Sequence, residues 1–175
     1  VSLPLSTAEK IAKKDGVSSY LFTSTATVSA GDGITAISTS SSSNSSQSND
    51  DSQGHGPQMM TGDFTITGVN ETAAVTDFTS GTNKISKGVG ITSSTGENEA
   101  VISSDLAKAN DLSVGDTFKV KATVNGSEKT VTLKVVGIYK SSSTVSTAQM
   151  QNNAANPQNN IYTNLKTANN LKGTT

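Results

Sequence analysis

The segment TFKVKATVNGSEKTVTLKVVGI, residues 117–138, decides how this chain folds. Asn125-Gly126 lies between two runs of alternating character, and both residues tolerate the positive φ that a two-residue hairpin turn demands. That turn sets the register. Val120 then faces Val131 and Phe118 faces Leu133 on one side, while Lys119 faces Thr132 and Lys121 faces Thr130 on the other. One face is apolar and the other wet, and Val135, Val136 and Ile138 carry the second strand deeper into a core.

Upstream of the hairpin, Ala100-Val101-Ile102 reads as a short apolar strand. Ser103 or Ser104 can cap a helix over 105–110, with Leu106 and either Ala109 or Asn110 on its inward side. Ser113-Val114-Gly115-Asp116 is a tight turn in which Gly115 supplies the backbone conformation and Asp116 accepts backbone N–H groups; both are read as structural. From Asp63, Phe64, Ile66 and Val69 alternate with Thr65 and Thr67 as a half-buried strand, and a short helix is expected over 73–78. At the start, Ser6 and Glu9 form a capping box for a short helix that Gly16 ends. β-Branched and aromatic residues over 17–28 favour a strand continuing weakly to Ile37. Ile161-Tyr162 and an amphipathic stretch over 165–172, closed by Gly173, complete the pattern. The fold class is α+β.

Only 32% of the residues are hydrophobic, below the roughly 45–50% usual for globular domains, so part of the chain is expected to be unpacked. Residues 38–57, STSSSSNSSQSNDDSQGHGP, contain no apolar side chain to offset the entropy of ordering and read as a flexible loop. Residues 141–160 read as a second polar loop. The net charge of −1 and a charged fraction of 15%, with no arginine, leave no concentrated positive field, so nucleic acid is not an expected partner. The absence of cysteine excludes disulfides, thiolate metal sites and thiol nucleophiles.

The chain is read as non-catalytic. Its single histidine, His55, lies in the Ser-rich loop between two glycines, where no partner orients it. Asp50 with Asp51, and Glu97 with Glu99, read as solvated charge, and Asn49-Asp50-Asp51-Ser52 lacks the alternating ligands of a calcium loop. Gly88-Val89-Gly90 lacks the third glycine of a dinucleotide loop, so no cofactor is expected. Met59 and Met60 read first as edge core residues and alternatively as an adaptable contact surface.

The order in AVISSDLAKANDLSVGDTFKV and LKVVGIYKS, residues 100–120 and 133–141, resembles the extracytoplasmic domain of MacB/FtsX-family ABC transporter permeases. There a Val/Ile strand leads through a helix to a Gly-Asp turn and a strand ending Val-Val-Gly-Ile. FTITGVN at 64–70 and ISKGVGI at 85–91 are similar to further family segments, as is the opening helix with Gly16-Val17-Ser18. The resemblance is good over 63–140; the Ser-rich insertion is longer than usual, and no arginine follows Gly88.

The resemblance implies a porter-like α/β subdomain with a second small mixed α/β subdomain inserted. Residues 1–37 would form the first part, 38–57 the flexible loop, 58–140 the inserted part, 141–160 the polar loop, and 161–175 a strand and helix returning to the porter-like part. It further implies a domain facing the extracellular side or periplasm, acting in export or mechanotransmission. Partners would be a permease homodimer, a cytoplasmic ATPase subunit that binds the ATP, and a membrane-fusion-type adaptor. The Lys-only, Cys-free composition leans towards a Gram-positive surface. A Ser/Thr-rich cell-surface adhesin or secreted binding domain is the alternative.

Overall fold

The computed structural model describes residues 5–16, 20–37, 62–142 and 156–173. Residues 38–57, Met59, Met60 and most of 141–160 lie outside the described residues, so the loop and contact-surface readings placed on them do too. Seven strands and four α-helices follow in the order α1 (Leu5–Ala12), β1 (Thr23–Ala30), β2 (Phe64–Val69), α2 (Thr76–Thr79), β3 (Asn83–Gly88), β4 (Glu99–Ser103), α3 (Ser104–Ala109), β5 (Thr117–Val124), β6 (Ser127–Ser141), β7 (Asn160–Asn164) and α4 (Leu165–Lys172). The mixed order and pairing make the fold α+β.

The hairpin has the register expected from its turn. Phe118 pairs with Leu133, Lys119 with Thr132, Val120 with Val131 and Lys121 with Thr130. Asn125 and Gly126 take φ of 51° and 79°, the left-handed values such a turn needs. Phe118, Val120 and Leu133 are fully buried, and Val131 packs half-buried against the same core. Val131→Ala is therefore expected to lower unfolding free energy by roughly 1–2 kcal/mol, whereas Lys121→Ala should cost under about 0.5. Lys121 has only an exposed pairing with Glu128 at 3.6 Å, and such pairs contribute little. Denaturant titration of both variants checks the register, and equal losses would refute it.

Strand β6, 15 residues long, closes the architecture. Its first half pairs with β5, and its second half pairs in parallel with β4 and antiparallel with β3. The order β6-β4-β7-β2-β1-β5 then returns to β6 and makes a six-stranded barrel, with β3 as an outer edge strand. Closure leaves those six strands without a free edge. Inside lie Val28, Phe64, Ile66, Ile102, Val120, Leu133, Val135 and Ile161, joined by Leu106 of α3 and Leu171 of α4.

Alternation sends the other faces of the same strands outward, where Val69, Val101, Tyr139 and Tyr162 meet Ile91 in a second buried cluster. Phe78, Tyr139 and Tyr162 stack edge to face there, with ring centroids 5.3–5.8 Å apart. The Tyr139 hydroxyl donates to the carbonyls of Asn160 at 2.8 Å and Pro157 at 3.2 Å. Burial pushes the Tyr139 phenol well up from its ordinary value, and burial reinforced by Asp77 pushes Tyr162 up to about 12. Both remain neutral hydrogen-bonding groups near neutral pH.

Strands from the segments 1–37, 58–140 and 161–175 share one sheet. Thr23–Val28 pair with Phe64–Val69, and β7 inserts between β4 and β2. Inward residues of all three segments fill one core, so none of them buries its apolar face alone.

The strand expected to reach Ile37 ends at Ala30, because Gly33 turns the chain at φ 83°. Ile34 still enters the core, and the backbone beyond is held by side-chain amides. Asn110 receives the Thr35 N–H at 2.6 Å and donates to its carbonyl at 2.9 Å; Asn159 does the same for Ile37 at 2.9 and 2.8 Å.

The helix expected over 73–78 is split: a 3-10 turn at Thr72–Ala74 and α2 flank Val75, whose extended backbone puts its side chain on the outer cluster. The described end of the second polar loop is also structured. Asn156 caps a 3-10 turn at Pro157–Asn159 by accepting the Gln158 N–H, and β7 starts at Asn160.

Candidate functional site

A groove of about 630 Å³ runs between the first and last helices. Each wall has an origin in the sequence. Helix α4 begins at Asn164, whose side chain accepts the Thr167 N–H at 2.9 Å, and ends at Gly173 with φ 77°. The Asn164 amide also donates to the carbonyls of Thr95 at 3.1 Å and Gly96 at 2.9 Å, which ties the 92–96 loop to the helix start. Asn169, one turn later, accepts the Ser24 hydroxyl at 2.7 Å and fastens α4 to β1.

Tyr20 and Phe22 line the groove with rings 5.1 Å apart, and Tyr20 is 40% exposed. Asn70 holds this stretch by accepting the Phe22 N–H at 2.9 Å and donating to the Tyr20 carbonyl at 3.2 Å. Glu9 of α1, Lys13 just after that helix and Lys166 of α4 add charge, and Lys166 is ion-paired with Glu97. An aromatic floor beside amide groups gives stacking area and hydrogen-bonding partners, the makings of a surface for binding another molecule.

The turn residues singled out in the sequence lie elsewhere. Gly115 has φ 102°, and its N–H donates to the Val135 carbonyl at 2.8 Å. The Asp116 carboxylate accepts the Ser113 N–H at 2.8 Å. Asn125 and Gly126 form the hairpin tip, apart from the groove. Among the described residues, no three of His, Asp and Glu come together in a way that could hold a metal ion, and no helix is long and apolar enough to cross a membrane.

Sequence reasoning missed the groove. Asn70 and Asn164 could have been flagged only as cap or turn formers, since what they hold lies 48–50 and 68–69 residues away.

Fold and groove together define a small closed α+β barrel with an aromatic-floored groove between its first and last helices. No family model matches the chain. Over 98% of its length it is 41% identical to a protein described as an uncharacterized ABC transporter permease, YclI, of Bacillus subtilis (strain 168). The chain spans 37% of the length of that relative. It is thus similar to one part of an ABC transporter permease.

Proposed function

We propose that this chain is the extracytoplasmic domain of an ABC transporter permease of the MacB/FtsX type. The observation that carries the reading is the 41% identity, sustained across 98% of the chain, with a stretch forming 37% of a permease. The geometry agrees with an insert in a longer polypeptide, since α1 and α4 border the same groove. In this reading the barrel performs no chemistry of its own and couples to events outside the membrane through contacts and shape, in export or mechanotransmission. A separate cytoplasmic subunit binds and hydrolyses ATP, two permeases pair, and a membrane-fusion-type adaptor docks on the outer domain.

Orientation is directly testable because the chain contains no cysteine. Lys129 is exposed near the start of β6, just beyond the hairpin tip. In the full-length parent permease, freed of any cysteines outside this chain, Lys129→Cys is expected to react with a membrane-impermeant maleimide on intact cells. Labelling only after permeabilisation would place the domain on the other side and overturn the reading.

A further inference from the structure

A second cavity, about 430 Å³, lies between α3 and the β3–β6 pair, and three lysines from three different elements line it: Lys87, Lys108 and Lys140. One acidic residue, Asp111, lines it with them. None of the three lysines is ion-paired among the described residues, although Lys119, Lys121 and Lys166 are.

A bulge puts one of these lysines there. Lys84 pairs with Lys140 and Ile85 with Tyr139, but the next pair is Lys87 with Ile138, so Ser86 is the extra residue. Had the register run on unbroken, with Ser86 opposite Ile138, Lys87 would stand opposite Gly137 and project to the other face of the strand. With the bulge, Lys87 shares the face of Ile138 and Lys140, turned towards α3. The Ser86 hydroxyl holds the bulge by donating to the Ile138 carbonyl at 3.0 Å. On the facing side, Ser104 and Lys108 stand one turn apart on α3, which presents Lys108 to the same space.

Lysines on an edge strand guard against unwanted pairing, which accounts for Lys84 and Lys87 on β3. It does not account for Lys140 on an inner strand or Lys108 on a helix. Like charges opposite one another, as at Lys84 and Lys140, cost stability unless an anion offsets them. The hydroxyls of Ser104 and Ser113 also line the cavity and have no hydrogen-bond partner among the described residues. Beside it, Val114 packs against Gly88 and remains 44% exposed, and Val89 is 62% exposed.

We propose that this cavity is a binding site for a phosphate group, carried either by a soluble ligand or by a lipid headgroup, with Lys87, Lys108 and Lys140 supplying the charge and Ser104 and Ser113 the hydroxyl donors. Ammonium groups serve phosphate as point charges, and the adjoining valines suit the apolar portion of an amphiphile. The proposal does not depend on the permease reading.

The test uses the 175-residue chain, titrated with inorganic phosphate while amide shifts are followed, and mixed with phosphatidylglycerol or phosphatidylcholine vesicles in a co-sedimentation assay. The double variant Lys87→Gln/Lys140→Gln is compared with Lys119→Gln/Lys121→Gln, which removes the same charge from the hairpin. Circular dichroism establishes that each remains folded. Binding is expected to weaken about tenfold or more in the first variant and to change little in the second. Phosphate binding without vesicle binding identifies a soluble source, and preferential binding to phosphatidylglycerol identifies a headgroup. Equal losses in the two variants, or no binding to phosphate or vesicles, would overturn the proposal.

Discussion

Phe64→Ala is expected to lower the unfolding free energy by about 3–5 kcal/mol, a large share of the roughly 5–15 kcal/mol that holds a domain together. Phe64 is fully buried at the start of β2, paired with Val28 of β1. Its strand is fixed by more than the ladder. The Asp63 N–H donates to the Val28 carbonyl at 2.9 Å, and the Asp63 carboxylate accepts the Ala30 N–H at 2.8 Å. The backbone therefore has little freedom to collapse into the space that the lost ring leaves, which places the cost high in its range. Chemical denaturation of the 175-residue chain measures it, and a loss below about 1 kcal/mol would contradict this packing. On the permease reading, the same change in the full-length parent should abolish transport while ATP hydrolysis by the partner subunit continues, because the damage is confined to the outer domain.

The second large effect comes from adding a single methyl group. A Cβ at Gly137 would stand 2.0 Å from the Val89 carbonyl oxygen and 2.9 Å from its carbon, both backbone atoms. Relief would require moving the 88–91 segment, which is itself held. The Val89 N–H donates to the Val136 carbonyl at 3.0 Å, the Thr72 N–H donates to the Ile91 carbonyl at 3.0 Å, and Ile91 is fully buried in the outer cluster. Gly88, the pairing partner of Gly137, is equally confined, since a Cβ there would meet the Val136 carbonyl at 2.2 Å. Gly137→Ala is thus expected to cost about 3 kcal/mol, the upper end of what overpacking usually costs. Gly96→Ala is the control: its Cβ would meet nothing closer than the Glu99 carboxyl group at 3.5 Å, and it should cost under about 0.5 kcal/mol. Similar melting temperatures for the two variants would contradict the close crossing at Gly137.

That crossing also gives a physical meaning to the Val-Val-Gly-Ile strand end. Val135 faces the barrel interior and Val136 the outer cluster, and Ile138 returns to the interior after a register shift against β4. The glycine stands where another backbone passes over β6.

What the sequence determined by itself was local. Asn125-Gly126 dictated the hairpin and, through the period of two, which side chains of β5 and β6 face inward. Ser103 at the start of α3 and Gly173 at the end of α4 acted through neighbours a few residues away, as caps do. Barrel closure was decided only in three dimensions, because it requires β7 to insert between β4 and β2 and β1 to reach β5. Hydrophobic alternation marks a strand's inward face and says nothing of its neighbour. The groove and the lysine-lined cavity were hidden for the same reason. Asn70, Asn110, Asn159 and Asn164 hold chain segments 48–122 residues distant, and a single extra residue at Ser86 turns Lys87 towards α3. An amide or a bulge reads as an ordinary polar residue until the backbone that it serves is brought beside it.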